Sequence, residues 1–383
     1  MPETNQPRFV FARRLFDGSG AEPKSNQLIT IDAGRIEAID GADEKQAREN
    51  GAVVADIAAP GFIDIQINGA NDVQFDSKCG ASGLLKIAEG ARKGGTAHLL
   101  PTFITASGTA YEGALAGVQE AMAMATSSGI IGIHLEGPFL SKQRPGIHSA
   151  GFIRELDESD LERLRATFPG KLLLTLAPEC TSSTVLEQLE KAGVIVFVGH
   201  SQASGDECSK ALEHGLKGAT HLFNAMSQIS ARDPGVVGSI LAHEEAFAGI
   251  IADGVHVHPD NLKLAATLKP DTLCLVSDAM QTLAGTKTEF ELDGYRIFLR
   301  DGRLTNAEGT LAGAQLAMNE AVANMVRYAE VDLAAALKMA GTNPAHALGL
   351  ASELGYLRSG YRASITLLDN DLSVSQVLVD GHS

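Results

Sequence analysis

The chain has 383 residues, 44 % of them hydrophobic, enough for one large domain with a full core and a smaller companion. Its 47 Asp and Glu against 31 Lys and Arg leave a formal charge of −16, which disfavours nucleic acid and anionic membranes as partners, and no apolar stretch reaches the roughly eighteen residues that span a bilayer. The four cysteines, Cys79, Cys180, Cys208 and Cys274, stand singly with no CxxC pair, and no basic-then-apolar leader precedes a cleavage site, so a reducing, cytoplasmic setting is expected.

In chain order, the first sixty or so residues read as short strands separated by turns: Arg8 to Ala12, Gln27 to Asp32 and Arg35 to Asp40. From Pro60 to about Leu350 a different unit repeats, a short apolar run followed by a polar loop and a helical stretch. The runs are Phe62 to Ile67, Ala97 to Pro101, Ile130 to Leu135, Leu172 to Ala177, Val194 to Gly199, Gly218 to Thr220, Ala248 to Ala252 and Thr272 to Ser277. Helical periodicity fills the gaps at Ser82 to Lys93, Thr109 to Ala125, Glu158 to Phe168, Ser182 to Lys191 and Gly205 to His214. A hairpin-like insertion, Glu289 to Leu304, carries Asp-Gly turns at 293–294 and 301–302 and is expected over the mouth of the main domain. Ser364 to Asp369 and Gln376 to Val379 are strand-like again.

Continuous apolar strands alternating with helices indicate a parallel sheet covered on both faces. Eight of them predict an α/β fold, a (β/α)8 TIM-type barrel over residues 59–350, with a small β-sandwich domain formed by both chain ends, 1–58 and 351–383. A doubly wound open sheet is the alternative, but no glycine-rich phosphate loop follows the early strands.

In such a barrel the reactive groups lie where strands end. Strand three runs into Glu136, strand five into His200, strand six into His221 and strand eight into Asp278. Each histidine alone reads as well as a buried hydrogen-bonding residue. Together, two imidazoles and a carboxylate at successive strand ends suit a divalent metal with one position open for water, Zn²⁺ first and Fe²⁺ second. Strand one ends in Gln66-Ile67-Asn68, where two-metal barrels carry His-x-His. Amides are poor ligands, so one metal is expected, with Gln66 and Asn68 filling or hydrogen-bonding around the vacated position. Glu179, ending strand four, reads as a partner behind the ligands.

These motifs, Pro60-Gly61-Phe62-Ile63-Asp64, His134-Leu135-Glu136-Gly137-Pro138, Val198-Gly199-His200-Ser201, Thr220-His221-Leu222-Phe223-Asn224-Ala225, Asp253-Gly254-Val255-His256 and Ser277-Asp278-Ala279, resemble in order and kind the N-acetylglucosamine-6-phosphate deacetylases, a branch of the amidohydrolase superfamily. The resemblance implies metal ligands Glu136, His200 and His221, Asp278 as proton shuttle, and substrate contacts from Ile147, His148, Asn224, Ala225, Arg232, His256, Leu311, Ala312 and Gly313. It also implies a homodimer in which a neighbouring subunit lends the phosphate contact at the His256 position. Arg144-Pro145-Gly146 departs from the Lys-Gly that the family often carries there.

The expected chemistry is hydrolysis of N-acetylglucosamine 6-phosphate to glucosamine 6-phosphate and acetate, with Asp278 as base and then acid and His148 at the oxyanion. The galactosamine epimer is the alternative substrate. A silent, ligand-binding barrel predicts loss of a ligand or of the base, yet all four residues are present. A nucleobase deaminase suits neither Gln66-x-Asn68 nor the phosphate contacts.

Overall fold

The structure is a computed structural model describing residues 7–383. Eight parallel strands follow one another around the main sheet in chain order: Phe62–Ile67, Thr96–Ile104, Gly132–Glu136, Lys171–Leu176, Ile195–Val198, Leu216–Ala219, Phe247–Ile251 and Leu273–Val276. They are numbered here as barrel strands one to eight. Strand one is buried along its whole length, as a strand walled on one face by the barrel interior and on the other by helices must be. The seam between strands one and eight closes just past their ends, where Asp278 N donates to Gln66 O (2.9 Å) and Asn68 N to Ala279 O (2.8 Å). Within the seam the Asp64 carboxylate substitutes for a backbone acceptor, taking the Ser277 N–H at 3.3 Å. The result is a TIM-type barrel.

Helices pack outside. Gly80–Arg92, Ala110–Met124, Ser183–Lys191 and Gly205–Glu213 lie within a few residues of their expected spans. Ser182 caps the third of these through Val185 N, and Ser204 with Glu207 forms a capping box on the fourth. Glu158–Leu164 ends earlier than Phe168, with Arg165 as its C-cap, and Pro169 keeps Phe168 itself out of the helical region.

The chain ends meet in one six-stranded sheet, ordered Val374–Leu378, Ile365–Leu368, Val53–Pro60, Phe9–Leu15, Lys24–Asp32, Arg35–Gly41. Its core gathers Val10, Ile29, Ile36, Ala58, Ile365 and Leu378. The central strand Val53–Pro60 runs parallel to Phe9–Leu15 and passes through Gly61 straight into barrel strand one, so this sheet is tied to the barrel's first strand.

The insertion forms a three-stranded antiparallel sheet, Glu289–Leu292, Tyr295–Arg300 and Arg303–Thr305. Both Asp-Gly pairs have positive φ at each residue (46° and 85°, 50° and 72°), the type I′ signature that glycine makes cheap. Its inner face, Phe290, Leu292, Ile297 and Leu304, packs with Met280 and Ala312, and Ile104 and Ile147 join from the rim. Among the described residues, no helix is long and apolar enough to cross a membrane.

Candidate active site

At the carboxyl ends of the strands a cavity of about 370 Å³ is floored by Glu136, His200, His221, Asp278 and Asn68. Ile147, His148, Asn224, Ala225, His256, Leu311 and Gly313 also line it. Leu292 reaches in from the insertion, and Ile104, Ile251 and Met280 complete an apolar side.

Glu136 is the last residue of strand three and is buried. His221 Nε2 lies 2.9 Å from Glu136 Oε1 and 3.1 Å from His200 Nε2, and His200 Nε2 lies 3.4 Å from Glu136 Oε1. His200 Nδ1 points at Arg144 O (2.9 Å), an acceptor, so the proton resides on Nδ1 and Nε2 offers its lone pair to the cluster. Burial alone would raise the pKa of Glu136, but the imidazoles of His200 and His221 beside it, His221 Nε2 donating at 2.9 Å, outweigh it and hold it well below the ordinary carboxylate range. Burial likewise works against protonation of His221, yet the Glu136 hydrogen bond and charge keep it raised. Two imidazole nitrogens aimed at one buried carboxylate form a donor set that suits a divalent cation, and the buried, unpartnered Nδ1 of His221 and amide oxygens of Gln66 and Asn68 mark polar groups awaiting partners. Glu136, His148 and His200 also each offer a ligand atom within 4.8 Å of one another. His148 Nε2 stands farther off, 4.0 Å from Glu136 Oε2, so His221 is the better third donor.

Asp278 follows strand eight, and its Oδ1 accepts from Asn68 Nδ2 at 2.7 Å and Gln66 Nε2 at 3.1 Å. The amides at the vacated histidine positions therefore clamp this carboxylate, leaving Oδ2 toward the cavity. Gln66 does so from behind, without lining the cavity itself. Burial, with the charge of Glu136 adding, pushes the pKa of Asp278 up to about 6 against the pull of His221, His256 and Asn68. His200, His221 and Asp278 all have left-handed backbones, φ 48°, 34° and 45°, a conformation that costs a non-glycine residue roughly 1–3 kcal/mol and persists where surrounding structure enforces it.

His148 Nδ1 meets the Thr105 hydroxyl at 2.9 Å, and burial pushes its pKa down to about 3, so the ring is neutral. Asp253 receives the Val255 and His256 backbone N–H groups and His256 Nδ1 (2.6 Å), turning the other ring edge toward the cavity. His256 thus lines the cavity of its own chain, where the family resemblance led to a contact lent by a neighbour. Arg232 is exposed in the Ser230–Pro234 turn and does not line the cavity, while Ala312 is buried in the apolar cluster of the insertion with its N–H on Leu304 O. Glu179 accepts from Ser201 Oγ (2.7 Å) and Gln202 N (2.6 Å), bracing the loop that carries His200. Cys180 is held above its usual pKa by burial and stays a thiol. Thr105, Met280 and Leu292 were not anticipated. The strand-end rule applied to strand two would have found Thr105.

A model described as the amidohydrolase family matches residues 57–383. The N-acetylglucosamine-6-phosphate deacetylase of Haemophilus influenzae is 35 % identical over 325 residues, 84 % of each chain. The N-acetylgalactosamine-6-phosphate deacetylase of a Shewanella strain is 36 % identical over 323 residues, 84 % of this chain and 81 % of that one. Among solved structures, N-acetylglucosamine-6-phosphate deacetylase from Pasteurella multocida is similar with a TM-score of 0.90 at 31 % identity, covering 97 % of this chain and 98 % of that one. An Asp-to-Ala variant from Mycobacterium smegmatis, in complex with N-acetyl-D-glucosamine-6-phosphate, gives 0.87 at 28 % over 99 % of each.

Proposed function

Starting from a chain that belongs to the amidohydrolase family, we propose that it hydrolyses N-acetylglucosamine 6-phosphate to glucosamine 6-phosphate and acetate. The observation that carries this reading is the convergence of Glu136, His200, His221 and Asp278 in one cavity that also presents His256. N-acetylgalactosamine 6-phosphate is the second reading, favoured by the 36 % identity to the Shewanella enzyme.

Glu136, His200 and His221 would hold one divalent metal, Zn²⁺ by preference and Fe²⁺ otherwise, with the ring nitrogens and the carboxylate that face each other as ligands. Bound there, the metal supplies a Lewis acid and an acidified water. Asp278, fixed through Oδ1, takes the water's proton on Oδ2 as the acetyl carbon is attacked. His148 donates from Nε2 to the carbonyl oxygen as it gains charge. Asp278 then passes its proton to the departing amine, and acetate is released. His256, oriented by Asp253, meets the phosphate, with the Asn224–Ala225 turn beside it. Ile147, Leu311 and Gly313 close around the sugar under the insertion. Arg232, exposed outside the cavity, and Ala312, buried beside it, remain candidate substrate contacts. We also assign residues 1–58 with 351–383 to a small β domain and 59–350 to the catalytic barrel, and place the enzyme in the cytoplasm as a homodimer.

The test is acetate release from N-acetylglucosamine 6-phosphate, its galactosamine epimer and the unphosphorylated sugar, using protein stripped of metal and reloaded with Zn²⁺. Turnover confined to the phosphorylated sugars supports the assignment, and the faster epimer settles the substrate. No turnover on any of them removes it. His256→Asn is expected to raise KM for the phosphorylated sugar roughly 10- to 100-fold, the worth of one hydrogen bond to a charged group, with kcat changed only a few-fold.

The pH profile should report Asp278. As a base it works deprotonated, so kcat should fall about tenfold per pH unit on the acid side. The limb is expected at about pH 6 or below, since a bound cation favours the carboxylate. Asn68 stabilises the charged form by donating to it, so Asn68→Ala should move the limb upward. An unmoved or lowered limb would show that the clamp does not act on the base.

A further inference from the structure

We propose that Leu292, carried on the insertion, limits the length of the acyl group this site cleaves, with Met280 and Ile104 completing the wall. The inference rests on the deacetylase reading. All three residues line the cavity and belong to one apolar corner: Met280 and Leu292 are 2 % and 7 % exposed in the same cluster, and Ile104 packs against that cluster. Their place follows from the chain. Met280 stands two residues beyond Asp278, after strand eight, and Ile104 is the last residue of strand two. His256 and Asn224 come instead from the loops after strands seven and six, on the far side of the ring from strand two.

An N-acetylated sugar phosphate carries hydroxyls around its ring and charge at its phosphate, and its only methyl group is on the acyl carbon. With the phosphate at His256 and the acyl carbon beside Asp278, the acyl substituent is the part that meets Met280 and Leu292. Sugar hydroxyls turned that way would be buried without partners, because the wall offers only carbon and a thioether sulfur, a weak acceptor. The wall is also backed. Leu292 pairs with Tyr295 across the Asp293-Gly294 turn, and Phe290, Ile297, Leu304 and Ala312 pack with it, none more than 8 % exposed. Met280 is held by its N–H on Ala314 O (3.2 Å), and even a Cβ at Gly313 would come within 2.6 Å of its side chain. Each methylene added to the acyl chain must therefore displace a packed side chain, and Leu292, on the insertion rather than in the barrel, is the one that faces it.

The experiment measures kcat/KM for the N-formyl, N-acetyl, N-propionyl and N-butyryl forms of the amino-sugar phosphate that the protein turns over faster, in Zn²⁺-loaded wild type, Leu292→Ala and Leu292→Phe. An apolar pocket discriminates one methylene by roughly 10- to 200-fold, so the wild type should prefer acetyl over propionyl by a factor in that range. Leu292→Ala should raise the propionyl-to-acetyl ratio roughly tenfold or more over the wild type. Leu292→Phe should move preference the other way, from acetyl toward formyl. Comparing each ratio with the wild type cancels the intrinsic reactivity of the acyl groups. Opposite shifts in the two variants support the proposal. Unmoved ratios, or a wild type that takes butyryl as readily as acetyl, overturn it. A uniform loss on all four acyl groups overturns it too, since loosening of the insertion alone would do that. Should one variant fail to fold, the wild-type series and the other variant decide. A wild type inactive on both acetylated sugar phosphates removes the deacetylase reading and this inference with it, whereas turnover with unmoved ratios removes this inference alone.

Discussion

Replacing Asp278 by Asn is expected to lower kcat by roughly 10²- to 10⁴-fold, the range for losing a positioned acid–base group, while leaving bound metal and fold in place. The backbone at 278 is pinned from both sides, its N–H on Gln66 O (2.9 Å) and its carbonyl receiving Ala314 N (2.8 Å), so the side chain of the variant emerges from the same point. Asn68 and Gln66 present amide N–H groups to Oδ1. An Asn at 278 must answer those donors with its carbonyl oxygen, which turns its NH2 toward the water. The clamp that prepares the carboxylate thus presents a donor where a base is needed. Glu136, His200 and His221 are untouched, so metal content by elemental analysis should match the wild type and KM should change only a few-fold. A variant that keeps full turnover with metal bound would place the base elsewhere in the cavity.

The same four residues show what could be read from the chain alone. Glu136, His200, His221 and Asp278 were legible because each is the first ionisable group after an apolar run, and a barrel with one open rim brings such positions together whatever the loops do. The Asp-Gly pairs of the insertion were legible because the type I′ turn needs positive φ at two adjacent residues. Val53–Pro60 was hidden. Its Val-Val-Ala-Asp-Ile-Ala-Ala-Pro has neither alternation nor β-branched density, and it is a strand because neighbours from both ends of the chain pair with it. Thr105 was missed for a different reason: it stands at the end of strand two, but only ionisable groups were sought at strand ends and a hydroxyl was passed over. Motif resemblance placed Arg232 in the substrate site, yet its exposed turn lies outside the cavity of its own chain, a matter of loop path that sequence spacing does not encode.

Removing the metal should abolish turnover and also lower Tm, and the second effect follows from the floor of the cavity. Glu136 is buried, and the imidazoles of His148, His200 and His221 lie within 4.0 Å of its carboxylate. Without a cation, the two ring nitrogens 3.1 Å apart can be reconciled with each other and with that carboxylate only by a proton, which the raised pKa of His221 marks as held there. Left-handed backbones at His200 and His221 add strain that the ligand set must repay on binding. A metal that binds only the folded chain stabilises it by about 2.7 kcal/mol at a hundred times its dissociation constant, enough to shift Tm by several degrees. Since the His221 proton must leave for the metal to enter, reloading should release roughly one proton near the pH where that histidine is charged, and apparent affinity should weaken as pH falls. Calorimetry in two buffers of different ionisation enthalpy counts that proton, and a melting curve with and without chelator reads the stability. Glu136→Gln should blunt both the Tm gain and the proton release, because the ligand set loses its charge and His221 loses the partner that keeps it protonated. A chelated protein with unchanged Tm and turnover would mean that the three groups serve one another and that no metal takes part in the reaction.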